Sequence, residues 1–213
     1  LNAFLKPHGF CFGPDVATSS RATLGGMIAS DSSGSHVPIH GTTADHVRAL
    51  ELVLADGRLA WIGLDHDGWP EETLRLGSLI GSHAKLIAER MPSDLLKRWP
   101  GYGTDRFLLE PKNLSHLLAG SEGTLAGIFS AELDIVPLPR ERGVGLIFFD
   151  GVAEAMQATV ELLPLEPAAI EHIDRVLFDQ TKGQRVFKAV RDLLELDTRP
   201  CESILIVEFF DDA

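Results

Sequence analysis

The sequence is short of cysteine and of basic charge, and each shortage excludes something. Two cysteines, Cys11 and Cys201, occur in 213 residues. They are too few for a zinc site of their own or a disulfide framework, and they read as two reduced thiols in a reducing compartment. Lys and Arg number 19 against 31 Asp and Glu, a formal net charge of −12. That sign is opposite to what a binder of nucleic-acid backbone or anionic membrane normally carries. No apolar run approaches the roughly 18 to 20 residues that cross a bilayer. The strongest, Ile204 to Phe210, is interrupted by Glu208, and the opening Leu1-Asn2-Ala3 has no secretory pattern. Common enzyme signatures are missing too. Gly101-x-Gly103 is followed by Arg106 where the third glycine of G-x-G-x-x-G would stand, and there is no Walker lysine, H-E-x-x-H or G-x-S-x-G.

What is present suits a folded chain: 45% hydrophobic and 23% charged residues. Two hairpin-like passages stand out. Val47 to Leu54 and Arg58 to Gly63 flank Ala55-Asp56-Gly57, a strong hairpin signal. In Thr124 to Val136, Phe129, Ala131, Leu133 and Ile135 alternate with Ser130, Glu132 and Asp134, which places the apolar set on a core face. Between them Leu76, Leu79, Ile80, Ile87 and Met91 fall at helical spacing, weakened by Gly77 and Gly81 and stopped by Pro92. Arg98 to Asn113 reads as a long loop. Beyond Pro137 and Pro139 the pattern becomes β-α-β-α-β. Strands are expected at Val144 to Phe149, Ala168 to Ile173 and Ser203 to Phe210. Helices are expected from Val152 to Leu163 and from Val186 to Leu196. The change of rhythm sets a boundary near 138 to 142.

Few residues suggest chemistry singly. His36 and His40 are four apart, but Gly34, Pro38 and Gly41 argue against the helix that would point both at one metal, and a third ligand is missing; no metal is expected. Glu171-His172 is better read as one strand's surface. Trp61, Trp69 and Trp99 read as core or loop anchors, and Asp15 with Arg21 as a solvated pair worth about 1 kcal/mol at most. Two glycine-rich stretches remain, Arg21 to Gly34 and Ala119 to Leu125. Small residues there let backbone come close to a ligand and offer N–H groups to an anion; equally, each alone is an ordinary turn.

Taken in order, however, these stretches resemble one family. Ala22 to Gly34 is similar to the A-T-I-G-G-x-x-A-x-x-x-x-G stretch of the FAD-linked oxidases, the vanillyl-alcohol oxidase and p-cresol methylhydroxylase (PCMH) superfamily. Gly41-Thr42-Thr43-Ala44-Asp45-His46-Val47 through Asp56-Gly57 is similar to Y-G-T-T-x-D-x-V…V-L-x-D-G. Gly120 to Leu125 is similar to G-S-E-G-T-L, and Phe12-Gly13-Pro14-Asp15 to F-P-P-D. The D-lactate, glycolate and 2-hydroxyglutarate dehydrogenase-like branch resembles it most. Trp99-Pro100-Gly101-Tyr102 and the insert after it are similar to long chains with a C-terminal iron–sulfur domain.

The resemblance implies an α+β fold in a partial chain. Residues 1–139 would be the second lobe of a PCMH-type FAD-binding domain, and 140–213 the start of a ferredoxin-like α+β cap (substrate) domain. It implies FAD as cofactor, with hydride transfer from a small 2-hydroxy acid to the flavin. Pro14, Thr23, Gly25, Gly26 and Gly34 would lie along the cofactor. Gly41 and Thr42 would approach it, Asp45 would orient their loop, Glu122 and Gly123 would hold a turn, and Ile128 would bring its backbone towards the adenine end. The catalytic base, usually a cap histidine, has no assigned residue here. A parent chain would add iron–sulfur or a divalent metal outside this segment. Expected partners are the 2-hydroxy acid and a redox partner or iron–sulfur domain, in the cytoplasm or peripheral to the inner membrane. Two departures stand against tight FAD binding: Ser30-Asp31 where relatives often carry Asn, since an aspartate repels a pyrophosphate, and His40 where tyrosine is common. A second reading therefore stays open, a non-catalytic interaction domain that has lost the cofactor.

Overall fold

A computed structural model describes residues 1–91, 95, 101–111 and 113–211. The chain divides into two compact units, Leu1–Leu138 and Pro139–Ala213.

The first unit is organised by the Asp-Gly hairpin. Strand β2 (Val47–Val53) and strand β3 (Leu59–Gly63) pair antiparallel, Val53 opposite Leu59. The five-residue connection closes with Leu54 N–H on the Arg58 carbonyl and Gly57 N–H on the Leu54 carbonyl. Gly57 sits at φ 84°, where a glycine meets no steric penalty. A short β4 (His66–Asp67) continues beyond β3. The second hairpin-like passage is not a hairpin. It forms one strand, β5 (Gly127–Leu133), which crosses the sequence to pair with β2, giving the order β4-β3-β2-β5. Its alternation also breaks. Glu51 faces Ser130 but Leu52 faces Ile128, so Phe129 is the extra residue of a bulge and stands 77% exposed. Ile128, Ala131 and Leu133 pack on the core instead.

Helices cover that sheet. The long apolar stretch forms α4 (Pro70–Ser82) and α5 (Ala84–Arg90), broken at His83. There the Ser82 hydroxyl bonds the Leu79 carbonyl at 2.7 Å, and the His83 N–H bonds Ile80, three residues back. Ile80 is buried, whereas Leu79 is exposed. Pro92, expected to end this stretch, lies outside the described residues, as do Trp99 and Pro100. The segment read as a loop holds a helix, α6 (Thr104–Leu109), followed by α7 (Ser115–Leu118). Six residues are too few for periodicity to register; α6 is secured by burying Phe107, 1% exposed, against Leu50, Leu117 and their neighbours. Trp69 joins the same core, and Trp61 is half-buried against the His66 ring.

The N-terminal segment contributes α1 (Asn2–Leu5) and β1 (Phe10–Cys11), with β1 pairing β6 (Val136–Pro137). Two short helices then precede β2: α2 (Leu24–Ala29) and α3 (Val37–His40). The second was not expected between Pro38 and Gly41. Proline near a helix start loses no hydrogen bond there, so it is tolerated.

In the second unit β7 (Glu141–Phe149), β8 (Ala169–Asp174) and β9 (Ser203–Asp211) form a sheet in the order β7-β9-β8. Helix α8 (Val152–Leu162) lays Ala155 on Leu205 and Val207. Helix α9 (Arg175–Asp179) brings Phe178 onto Ile204. The stretch from Val186 to Leu196 is shorter than expected, a 3-10 turn and then α10 (Lys188–Leu193). Its faces are also inverted: Val186, Val190 and Leu193 are exposed while Arg191 is 4% exposed. The guanidinium wins the interior because the Phe178 carbonyl, Thr181 hydroxyl and Asp197 carboxylate all accept from it. His172 lies on β8 with its Nε2 2.6 Å from the Ser203 hydroxyl. Among the described residues no helix is long and apolar enough to cross a membrane.

Candidate functional site

The site is built on α2 and the two turns fastened to it. Thr23 caps the helix: its backbone is extended and its Oγ1 accepts the Gly26 N–H at 3.1 Å. Met27 and Ile28 face inward, and Thr23, Gly25 and Gly26 lie exposed. Apart from its chain neighbours and the backbone of α2 itself, nothing of the protein lies within 4 Å of where a Cβ on Gly25 would stand. The helix ends as Asp31 enters the left-handed region at φ 44°, a conformation that Asp tolerates better than most residues.

The Gly120-Ser121-Glu122-Gly123 turn is tied to that end of α2 by main chain. Gly120 N–H reaches the Ile28 carbonyl at 2.9 Å, and Glu122 N–H the Ala29 carbonyl at 2.7 Å. Gly120, Glu122 and Gly123 have φ of 88°, 51° and 75°. The turn therefore needs two glycines, and Gly123 presents open space where a side chain would be. Thr124 closes it, accepting or donating to the Tyr102 hydroxyl at 2.8 Å. The two glycine-rich stretches thus meet in space although about 90 residues separate them.

A third loop, Gly41 to Asp45, is held from behind. Thr42 and Asp45 form a capping box, with the Thr42 N–H 2.7 Å from Asp45 Oδ2. Arg106, 9% exposed, donates to Asp45 Oδ1 at 2.6 Å and to Thr42 Oγ1 at 2.9 Å, and lies 4.0 Å from Asp31 Oδ2. Asp31 Oδ1 accepts the Ala44 N–H at 2.8 Å. Burial pushes the Asp45 carboxyl up, but the Thr42 N–H, the Arg106 guanidinium and the Thr42 hydroxyl together hold it below its ordinary value. Arg106 stands out in the sequence only as a missing glycine, and no local pattern links it to residues 61 and 75 positions earlier.

The expected site residues therefore sort by exposure. Thr23, Gly25, Gly26, Glu122 and Gly123 are exposed, and the Asp45 carboxylate is partly so. Pro14 is buried, Thr42 is 2% exposed, and Ile128 packs its side chain on the core. Gly34 serves packing: a Cβ there would stand 1.5 Å from the Asp15 carbonyl oxygen. At Gly41, φ 67°, a Cβ would meet Asp45 Oδ2 at 2.3 Å. Asp15 does not pair with Arg21; its carboxylate lies 2.5 Å from His36 Nδ1. A Cβ on Gly13 would lie 3.0 Å from the His40 and His46 rings, so glycine at 13 makes room for them. Among the described residues no group of three or more His, Cys, Asp or Glu could hold a metal ion.

An apolar cleft of about 340 Å³ opens nearby, lined by Leu54, Trp69, Leu76, Ile80, Leu117 and Leu125 among others. Its walls offer almost nothing to a charged group, so an anionic ligand belongs on the glycine turns rather than in the cleft.

The chain is similar to known proteins over these segments. The family described as FAD binding domain matches residues 1–63, which include α2 and the Gly41 to Asp45 loop. The D-2-hydroxyglutarate dehydrogenase of Pantoea ananatis is 34% identical over 227 residues, covering 100% of this chain and 22% of the relative. The Escherichia coli enzyme of that name is 31% identical over 231 residues, with the same coverage. The D-lactate dehydrogenase of Archaeoglobus fulgidus is 31% identical over 169 residues, 79% of this chain and 29% of the relative. Among solved structures, alkyldihydroxyacetonephosphate synthase superposes with a TM-score of 0.63 at 19% identity, covering 99% of this chain and 32% of that one. This chain spans about a fifth of the length of the first two relatives. The FAD binding domain match over the glycine loop, the alignment of this whole chain to a fifth of the D-2-hydroxyglutarate dehydrogenases and the fold shared with alkyldihydroxyacetonephosphate synthase together support the FAD-linked oxidase superfamily.

Proposed function

We propose that this chain is the second FAD-binding lobe and the first part of the cap of a flavin-dependent dehydrogenase that oxidises a small 2-hydroxy acid. The observation that carries the reading is the joining of α2 to the Gly120–Gly123 turn. The two bare backbone surfaces at Gly25 and Gly123, where a would-be Cβ meets nothing within 4 Å beyond its own local chain, share one hydrogen-bonded scaffold. A dinucleotide needs close backbone approach of this kind.

The residues present fit FAD. In this reading Thr23, Gly25, Gly26, Glu122 and Gly123 are the surface against which it lies, with Pro14, Gly34, Gly41, Thr42, Asp45 and Ile128 giving that surface its shape. Bound flavin would supply the hydride acceptor. The protein's own part is to hold the loops rigid and to keep the Asp31 carboxylate on Ala44 rather than towards the ligand. That inward turn removes the objection raised by an aspartate at this position. The relatives named D-2-hydroxyglutarate and D-lactate dehydrogenase support a 2-hydroxy acid as substrate. A redox partner or an iron–sulfur domain would take the electrons onward. Two cysteines in 213 residues, too few for a disulfide framework, support a reducing, cytoplasmic setting.

The test is FAD titration into this chain, alone and mixed with the unmatched remainder of the Pantoea ananatis relative, followed by flavin absorbance near the visible band. Saturable binding that needs or is strengthened by the remainder is expected. Absence of binding in both formats would sink the reading and favour an interaction domain.

A further inference from the structure

The shared guanidinium of Arg106 has a role that neither the fold nor the family match assigns. It lies beneath two loops, bonded to Asp45 and Thr42 of one and 4.0 Å from Asp31 of the other. Two carboxylates in this cluster face one buried cation. Asp31 is the departure that puts the second carboxylate there, in a left-handed conformation at the end of α2.

We infer that Arg106 is a positioning residue for the dinucleotide loops. It draws the charge of Asp31 and Asp45 inward and fixes both loops, so that a surface with an extra aspartate still accepts an anionic cofactor. The inference rests on the FAD reading above. Its physical ground is that a buried charge left without its partner is strongly unfavourable and forces its neighbours to rearrange or take up protons. Without the guanidinium, Asp31 and Asp45 repel each other. Asp31 would leave Ala44 and Asp45 would leave Thr42, towards the exposed side where the cofactor's phosphates would lie.

A charge role and a bulk packing role differ in what rescues the loss. In the titration format described above, Arg106→Met should weaken FAD binding at least tenfold. Asp31→Asn alone should bind as tightly as the wild type or more so, and Arg106→Met with Asp31→Asn should recover most of the loss. Arg106→Lys keeps the charge but lacks the fork that spans Thr42 and Asp45, so it should fall between. It also serves as the second variant if Arg106→Met does not fold. Amide hydrogen exchange provides the readout that needs no cofactor: Thr42 and Ala44 N–H groups should exchange at least tenfold faster in Arg106→Lys, with β3 amides unchanged. Unchanged exchange at Thr42 and Ala44 overturns the inference, as does a double variant no better than Arg106→Met. A wild-type chain that binds no FAD in either format, yet shows the exchange effect, rejects the flavin reading and leaves the coupling of the loops through Arg106 standing.

Discussion

Adding one methyl group at Gly25 should make the protein more stable and a poorer binder of FAD. Gly25 is the second residue of the six-residue α2, and beyond its own helix backbone and chain neighbours nothing lies within 4 Å of the position its Cβ would take. Gly25→Ala therefore meets no internal clash. In a helix interior the exchange stabilises by about 0.8 to 1.0 kcal/mol. Near a helix end roughly half of that is expected, which for a domain of this size raises the melting temperature by about 2 °C. Against a ligand lying on bare backbone the same methyl group is overpacking, which costs about 1 to 3 kcal/mol, or a roughly 5- to 150-fold weaker Kd. Gly77→Ala is the matched control. Gly77 also has open space around it, but it lies within α4 and belongs to neither glycine-rich stretch. It should stabilise by about 1 kcal/mol and leave FAD binding alone. Thermal melts followed by far-ultraviolet circular dichroism, paired with FAD titration, measure both effects. If Gly25→Ala gains stability and binds FAD like Gly77→Ala, the cofactor does not lie on α2 and the site is misplaced.

Three further perturbations probe the scaffold. Gly34→Ala should destabilise the first unit by about 3 kcal/mol, because the methyl would stand 1.5 Å from a backbone oxygen that cannot swing aside; a near-wild-type urea midpoint would refute the close approach. For Asp45, whose carboxyl is held below 3.8 in the folded state, the ion pair contributes fully above that pH and is lost as pH falls through the lowered value. Asp45→Asn should accordingly lower the melting temperature at pH 7, with the gap from wild type closing in acid; a gap that widens below pH 3.8 contradicts the assignment. Leu205→Ala, at a fully buried position on the central strand β9, should cost the second unit about 2 to 5 kcal/mol. Exchange protection should then fall across β7, β8 and β9; equal loss in β2 and β3 would show that the two units do not unfold separately.

Much of this molecule is legible in its sequence because the signals are local. The Asp-Gly turn specifies the β2–β3 hairpin through backbone twist alone, and the strands and first helix of the second unit follow from short apolar runs and a 3.6-residue period. Each glycine motif is equally local, and their order along the chain carries the resemblance to the family. Two features answer to contacts that the sequence does not display. The bulge at Phe129 arises from pairing with β2 some 80 residues earlier, and it turns a residue patterned for the core towards solvent. The α10 stretch buries Arg191 and exposes its valines, because carbonyl, hydroxyl and carboxylate acceptors converge on the guanidinium from other segments.

The candidate site divides in the same way. Which glycines are present the sequence determined by itself, since a left-handed turn needs only its own few residues; that the first glycine-rich stretch holds a helix capped by Thr23 came from the structure. That α2 and the Gly120–Gly123 turn share one scaffold, that Asp31 faces Ala44, and that Arg106 joins Asp31 to the Thr42–Asp45 box, only the tertiary structure decided. Long-range hydrogen bonds and a buried charge choose their partners by distance in space, and distance along the chain does not reveal it.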